Sequence, residues 1–401
     1  MKAYIYKLKN LQNRRFVDIL VCLLLFNPLY VNHIVILNYV FDFFRFILIF
    51  YLLYNFIKNY KLKGIFIPLS LIFGSILIST LVNDDNLKSV VIRYIPIFSV
   101  FVLVEINKKR LMDFCYSIFC AAEILVYINF LSMLLYPNGI YIGNNNALYW
   151  IIGQKQDFVN VFFITFLIGF LLWKYNVFNY RIIFVNLIML YCMIKSLPVG
   201  LLIIFLISLF MVIIYKKCNI LFKSLSLYKI NLSLMVIAII IAIIPENFTN
   251  LLKLLDYLPS TGMSKYQTVY NRILIWNDAI NIFCESSLLG SGIISPIRYN
   301  LLNTNFSYHP HFHNIYFDLL ATGGILSVVA YIVMNIKISQ KLDLYSNSYD
   351  RTVLVIGLFV LNILLLTECL YSPFVFIIYT LCFNVEHIIY NHKIYNSSRV
   401  V

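Results

Sequence analysis

The sequence predicts an all-α polytopic integral membrane protein with about twelve transmembrane helices. Hydrophobic residues make up 62% of the 401 residues and charged residues only 12%, whereas a soluble domain carries about 25% charged residues. Apolar stretches of about 20 residues, the length that crosses the hydrocarbon core as a helix, recur along the chain. Lysine and arginine collect in alternate connections, as they do in chains that cross a membrane repeatedly.

Hydropathy places the individual helices along the chain. The predicted spans are residues 16–31, 35–56, 64–82, 89–106, 112–136, 157–173, 180–194, 198–215, 230–245, 315–335, 353–371 and 374–390. The start, "MKAYIYKLKNLQNRR", is basic and leads into the first apolar run without a small-residue cleavage site. We therefore expect an uncleaved first span and not a removable signal.

The distribution of basic residues predicts the orientation of these spans. With the N-terminus inside, 22 of the 31 lysines and arginines fall in inner segments and eight in outer segments, while Arg45 lies within a span. Cytoplasmic loops carry such an excess, so both termini are expected in the cytoplasm. The net charge of +14 is then explained by membrane orientation, and we expect no nucleic-acid partner.

The connections divide the chain into three parts: residues 1–245 with the first nine spans, an outer-face loop at 246–313, and residues 314–401 with the last three spans and a cytoplasmic tail. Loops as long as 246–313 are usually functional or disordered. Only Cys284 of the eight cysteines falls in this loop, so the loop contains neither an internal disulfide nor a cysteine metal motif.

The outer loop contains an amphipathic pattern. An apolar stripe at helical spacing is formed by Ile273, Trp276, Ile280 and Phe283, and Asp278 lies away from it. This predicts a helix on the membrane surface, with Trp276 at the level of the headgroups.

Several ionisable residues fall inside predicted spans, where they are costly. Asp42 and Arg45 are three residues apart and are expected to neutralise each other. Arg93 either binds an anion or extends to the headgroups. Three further carboxylates either are hydrogen-bonded structural acids or line a cavity: Glu123, Glu368 and Glu386.

The segment "SYHPHFHNIYFDLLATGGI" places His309, His311 and His313 at alternate positions before an apolar run. One interpretation is a metal site, although Pro310 interrupts the segment and Asp318 is the only nearby carboxylate. A second is an exposed loop without function. A third is acid–base chemistry at the membrane face, because histidine titrates near neutral pH. The residues favour the third only slightly.

Two consecutive stretches, "RILIWNDAINIFCESSLLGSGI" and "HFHNIYFDLLATGGIL", together resemble the signature of the O-antigen polymerase/ligase family. That signature has an Arg-x-x-x-Trp helix, a glycine turn, and a His-Asn pair opening a span with a glycine pair. "WIIGQKQDF" at 150–158 resembles the "GxKN" stretch of capsule and O-antigen polymerases. "IKSLPVGLL" at 194–202 resembles the family's "SRxxxG" helix start.

The resemblance implies a metal-independent, inverting glycosyltransferase of the GT-C type that needs no cofactor. Its donor would be a glycan on undecaprenyl pyrophosphate, used at the outer face of the bacterial inner (cytoplasmic) membrane. A polymerase adds the chain to another lipid-linked repeat unit, and a ligase adds it to lipid A–core. The implied partners are these repeat units, membrane lipids, and a chain-length regulator and flippase of the same pathway.

The resemblance also assigns residues. His313, which precedes Asn314, matches the family base, and His311 is the second choice. Arg272 and Trp276 match the Arg-x-x-x-Trp helix, so Arg272, Trp276 and Asn314 are expected to bind the pyrophosphate or glycan. The "SRxxxG" arginine is replaced by Leu197 and the last glycine by Ser327. The candidates for a second cation are Lys195, Lys155 and Arg93.

These matches favour a repeat-unit polymerase over a ligase, because of the "GxKN"-like stretch and the missing arginine. A lipid-oligosaccharide flippase is the rival from another class. It predicts internal repeats, which the sequence does not display, and it leaves the outer-loop residues unexplained.

Overall fold

A computed structural model represents the chain as a bundle of helices. It describes residues 2–26, 28, 31, 34–59, 64–83, 85, 87–142, 147–174, 179–196, 199–214, 229, 232, 233, 236, 237, 240, 265–299, 311–346, 348–367 and 373–397. The helices are α1 (Lys2–Phe26), α2 (Val35–Asn59), α3 (Phe66–Val82), α4 (Leu87–Asn107), α5 (Leu111–Leu135), α6 (Val159–Trp173), α7 (Asn179–Ser196), α8 (Val199–Ile213), α9 (Lys265–Glu285), α10 (Pro296–Tyr299), α11 (Ile315–Asp343), α12 (Tyr349–Thr367), α13 (Ile377–Phe383) and α14 (Val385–Ser397).

The remaining regular elements are short. Two 3₁₀ turns cover Lys108–Arg110 and Pro373–Phe376. A small hairpin between α5 and α6 pairs β1 (Tyr141–Ile142) with antiparallel β2 (Leu148–Tyr149).

Four segments of the described chain are long and apolar enough to cross a membrane: Val35–Lys58, Leu87–Leu135, Ile315–Asp343 and Tyr349–Leu366. Shorter apolar helices cover Phe66–Val82, Val159–Trp173 and Leu201–Ile213. The helical fold class is therefore confirmed, and the four candidate spans are compatible with a polytopic membrane protein. The count of about twelve spans and the GT-C architecture stay predictions, and the predicted span 230–245 lies mostly outside the described residues.

Two predicted spans differ from the helices in a physically informative way. Helix α1 begins at Lys2, well before the predicted start. Two ion pairs join α1 to neighbouring elements. Arg110 binds Asp18 at 2.7 and 2.9 Å, and Arg15 binds Asp113. The predicted span 374–390 is a 3₁₀ turn, α13 and α14, with a break at Asn384. A hydropathy window averages across such a break and therefore does not locate it.

The connections sort to two ends of the bundle. We call the end that carries residues 290–298, 311–314 and Leu366 the histidine end. There, the Asn314 Nδ2 donates to the Leu366 carbonyl at 3.1 Å. The opposite end, which carries Lys108–Arg110, is the basic end, and there Lys337 Nζ donates to the Gly64 carbonyl at 3.2 Å. This sorting agrees with the alternating topology, whereas the cytoplasmic location of the basic end stays a prediction.

Two of the intramembrane acids have partners. Glu123 is 1% exposed and accepts hydrogen bonds from Arg181 Nε at 2.7 and 2.8 Å and from the Tyr127 hydroxyl at 2.8 Å. Glu386 lies 3.2 Å from Lys341 Nζ. Glu123 is therefore a structural acid, whereas Glu386 is paired with Lys341 and also lines a surface cleft. Glu368 lies outside the described residues.

The charge of Asp42 acts on Arg45 in the structure, but without the direct ion pair that the spacing suggests. Within the described part of α2, no ion pair joins the two side chains; Asp42 is exposed and Arg45 is half-buried. Arg45 lies on the helix stripe that continues through the buried Ile49, Leu52 and Phe56. The helix therefore turns Arg45 toward its neighbours and Asp42 away from them.

Candidate active site

Helix α11 begins at the histidine end with an N-cap, Asn314, whose side-chain amide oxygen and nitrogen both form hydrogen bonds. The Asn314 side chain accepts a hydrogen bond from the Tyr316 backbone N–H at 2.9 Å, the usual role of an N-cap residue. Its Nδ2 donates to the Leu366 carbonyl, and the residue is fully buried. Asn314 thus fixes the start of α11 against the end of α12, and this determines where the preceding histidine lies.

His311 and His313, the members of the histidine cluster that the structure describes, form a close pair in front of this cap. The rings of His311 and His313 are edge to face, with centroids 4.3 Å apart. His313 has φ 51°, a left-handed conformation that is uncommon for residues other than glycine, and Phe312 between them is 3% exposed. The buried phenylalanine and the left-handed backbone together place both imidazoles at the mouth of α11. His309 lies outside the described residues.

A small polar cavity lies beside the histidine segment. Its lining includes Arg93 from α4, Phe312, and Asp318 from the first turn of α11. Asp318 is 1% exposed, and its Oδ1 accepts the Phe312 backbone N–H at 3.3 Å. Arg93, which is far from the histidine segment in sequence, therefore lies close to it in the fold. The sequence could name Arg93 only as one of three candidates for the second cation.

Helix α9 packs on α11 through an aromatic stack. The rings of Trp276 and Phe317 are 5.4 Å apart and nearly parallel, and Trp276 is 9% exposed. The Trp276 ring is therefore covered by the first turn of α11. Its expected level at the headgroups stays a prediction. Arg272, one turn earlier on α9, is half-buried.

The polar side of α9 was also misassigned. Asp278, predicted to face away from the packed stripe, is fully buried, and the Tyr299 hydroxyl of α10 donates to its Oδ2 at 3.1 Å. Burial, followed by the negative charge of Asp278, raises the pKa of Tyr299 above its ordinary value. Helical spacing could not reveal this partner, which comes from a separate segment of the outer loop.

The other two candidate cations lie away from this cavity lining. Lys155 lies in the turn that follows β2, and Lys195 is exposed near the end of α7. Within the described part of the chain, neither forms a hydrogen bond or an ion pair. The turn itself is well anchored, because the Ile152 N–H donates to Asn129 Oδ1 at 3.0 Å and the Trp150 Nε1 donates to the Tyr136 carbonyl at 3.0 Å.

The two glycine motifs form one structural unit, which we call the glycine contact: residues 287–292 against residues 321–326. The backbone N–H groups of Ser291 and Gly292 donate to the carbonyls of Ala321 and Thr322 at 2.7 and 2.9 Å, and that of Ile325 donates to Ser287 at 2.9 Å. Gly324 has φ 63° and ψ −164° and interrupts α11. The glycine turn is thereby joined to the helix that begins at the histidines.

Sequence reasoning missed the residues that hold this unit in place. Arg298 Nη1 binds Asp85 Oδ2 at 2.7 Å and the Ser291 carbonyl at 2.9 Å. The Ile293 N–H donates to Thr80 Oγ1 at 3.1 Å. Asp85 follows α3 and is 213 residues from Arg298 along the chain. No local sequence pattern could therefore indicate that the two side chains meet. Asp318 could have been suspected, as the carboxylate nearest the histidines.

No group of three His, Cys, Asp or Glu side chains in the described ranges could hold a metal ion. Metal independence stays a prediction that this observation does not test.

The fold and the site describe a helical protein with four candidate membrane spans among its described residues. One end of its bundle carries a histidine pair, an arginine-lined cavity and the glycine contact. Residues 158–332 match the family model described as O-antigen ligase. The resemblance to the O-antigen polymerase/ligase family is thus confirmed over this region, which includes Arg272 and the histidine pair. Members of this family are membrane glycosyltransferase-like enzymes. No curated protein and no solved structure gives a significant match.

Proposed function

We propose that this protein polymerises undecaprenyl pyrophosphate-linked oligosaccharide repeat units into O-antigen or capsular polysaccharide. The reaction takes place at the outer face of the bacterial inner membrane, with both termini in the cytoplasm. One observation carries this proposal: the segment with the histidine pair contributes Phe312 to a cavity that Arg93 and Asp318 also line. The histidines and Asp318 fall within the region that matches the O-antigen ligase model.

In the proposed reaction, His313 takes the proton of an acceptor sugar hydroxyl. The hydroxyl oxygen attacks the anomeric carbon of the donor, the bond from that carbon to the pyrophosphate oxygen breaks, and the lipid pyrophosphate leaves with inversion. General-base catalysis of this kind contributes roughly 10²–10⁴ in rate. The left-handed backbone of His313 supports this role, because strained conformations cluster at functional sites.

The negative charge that develops on the pyrophosphate requires cations aimed at its oxygens. Arg272 and Arg93 are assigned this role without a metal ion, because a guanidinium binds phosphate through two parallel hydrogen bonds. Arg93 is preferred over Lys155 and Lys195 as the second cation because it lines the cavity that Phe312 of the histidine segment also lines. Asn314 and Trp276, which are used by the α11 cap and the aromatic stack, position the site and do not contact substrate.

The test replaces His313 with alanine in a strain that lacks its own copy, and the surface glycan is separated on a gel. We expect the polymer ladder to collapse to single capped repeats at unchanged protein level. His311→Ala should reduce the ladder less. His392→Ala on α14, at the other end of the bundle, is the matched control and should leave the ladder intact. A full ladder with His313→Ala would rule out the base assignment.

The alternative enzyme is an O-antigen ligase that transfers the glycan to lipid A–core, and the description of the matched family model favours it. The same gel separates the two activities. Loss of a ligase leaves lipid-linked polymer together with bare core, whereas loss of a polymerase leaves single repeats. Purified lipid-linked repeat units, incubated with the protein and a chelator, test metal independence directly.

A flippase is the alternative from another class, and the chain-length regulator and flippase of the pathway are proposed as partners. Purified protein with lipid-linked repeats in detergent, where there are no two compartments, separates catalysis from transport. A polymerase forms longer glycans under these conditions, and a flippase forms none.

A further inference from the structure

Helix α2 is the least covered of the four candidate membrane spans in the described chain. In its most apolar stretch 11% of the residues are buried, against 61%, 61% and 78% in the other three spans. Within residues 35–58, the buried side chains are Ile49, Leu52 and Phe56, all in the half that leads to the basic end. Residues 35–48, which we call the open half of α2, contain no buried residue. The open half therefore presents its side chains to whatever surrounds the bundle.

Two ionisable side chains lie in the open half, at a depth where charge is costly. Lys58 marks the basic end of the helix, and Asp42 lies 16 residues before it. At a rise of about 1.5 Å per residue, Asp42 is about 24 Å from that end along the axis. This depth is inside a hydrocarbon core about 30 Å thick, and Arg45 lies one turn deeper. Ionisable residues in a membrane almost always face a bundle interior or pair with an opposite charge.

The chain itself gives neither residue a direct partner. Asp42 is exposed and Arg45 is half-buried, and the charge of Asp42 acts on Arg45 without a direct ion pair. In the described part of the chain, the Nε of Arg45 is enclosed without a hydrogen-bond partner, whereas its two Nη atoms are not enclosed. The open half thus carries an anion and a cation, one turn apart, whose outer atoms can reach a neighbouring helix.

The surface around these charges is apolar and aromatic. Tyr39, Asp42 and Phe46 are exposed on one side of the helix at spacings of three and four, and the Phe46 ring lies 4.5 Å from that of Phe50. Helix α2 contains no Gly, Ala, Ser or Thr, the residues through which membrane helices approach each other closely. Specific association through this side must therefore depend on its charges and not on close backbone packing.

We propose that the open half of α2 binds the same segment of a second copy of this chain. A two-fold axis along the membrane normal sets the two α2 helices parallel and at equal depth. Asp42 then lies about one turn from Arg45 of the partner subunit, and the symmetry forms this pair twice. Lipid tails offer neither charge, and an unrelated helix would have to bring both signs of charge at this depth. A second copy meets that requirement by symmetry.

The test measures energy transfer between copies of the full chain that carry a donor or an acceptor fluorophore at the C-terminus. The copies are mixed in phosphatidylcholine vesicles over a range of protein-to-lipid ratios. Asp42→Lys in both copies places two cations on each helix, and Arg45→Glu in both copies places two anions there. Each change should lower the association constant about 10-fold, because two polar pairs are lost. An Asp42→Lys copy mixed with an Arg45→Glu copy should restore association, because opposite charges then meet.

Lys58→Glu is the matched control, since it reverses a charge on the same helix outside the open half and should leave association unchanged. Recovery in the mixed pair also shows that both reversed variants are folded. Asp42→Leu removes the charge without adding another and should weaken association in the same direction, which covers a reversal that does not fold. A wild-type chain that stays monomeric at every ratio would overturn the proposal, as would wild-type association in the Asp42→Leu variant.

Discussion

Gly324→Ala should open the glycine contact, and the structure allows the cost to be worked out. An added Cβ would lie 2.4 Å from the Leu288 carbonyl oxygen and 2.6 Å from the Gly290 nitrogen, and neither backbone atom can rotate away. The conformation at φ 63° and ψ −164° is essentially restricted to glycine and costs other residues about 1–3 kcal/mol. Separation of the two backbones would also weaken the hydrogen bonds between them, each contributing about 1 kcal/mol.

The expected sum is about 3 kcal/mol, which favours the opened state of residues 287–292 by a factor on the order of 100. Limited proteolysis of the purified protein measures this opening as cleavage near the glycine turn. Gly74→Ala is the control, because an added Cβ there meets nothing within 4 Å and alanine is favoured over glycine in a helix. If both variants were cleaved at the wild-type rate, the close backbone approach at Gly324 would be refuted.

Three further outcomes are expected. Arg181→Met should destabilise the protein in detergent by about 3 kcal/mol, because the Glu123 carboxylate stays buried without its arginine partner. A thermal melt measures this loss. The double variant with Glu123→Leu should recover most of it. Asn314→Ala should cost about 1–2 kcal/mol through the lost cap and reduce glycan polymerisation, whereas Asn314→Asp should retain the cap. Because Asp278 and burial raise the pKa of Tyr299, the stability from its protonated phenol is complete below the ordinary pKa of about 10. That stability falls as pH rises through the higher folded value, so Tyr299→Phe should flatten the alkaline branch of a melt series.

Helix existence was predictable from the sequence, but the ends of helices were less so. Apolar length alone located α2 to α8, α11 and α12 to within a few residues at most ends. Within α1, Arg15 and Asp18 form ion pairs with residues about ninety positions away. Such partners leave no periodic signal in a local window.

The candidate site was predictable only in part, for a similar reason. The spacing of His311 and His313 and the glycine motifs pointed to the correct end of the bundle. The burial of Asp278 and Trp276, by contrast, is decided by Tyr299 and Phe317 from other segments. A stripe on one helix records which residues are apolar, but not which neighbour covers them.

The glycine contact also determines how this protein could be recombined with its relatives. Because residues 287–292 and 321–326 meet backbone to backbone, the outer loop is not an exchangeable module. A chimera that imports a foreign loop up to His313 alone would bring together two surfaces that were not selected as a pair. A boundary placed after Leu326 keeps both halves from one parent, and domain grafting in this fold should begin from there.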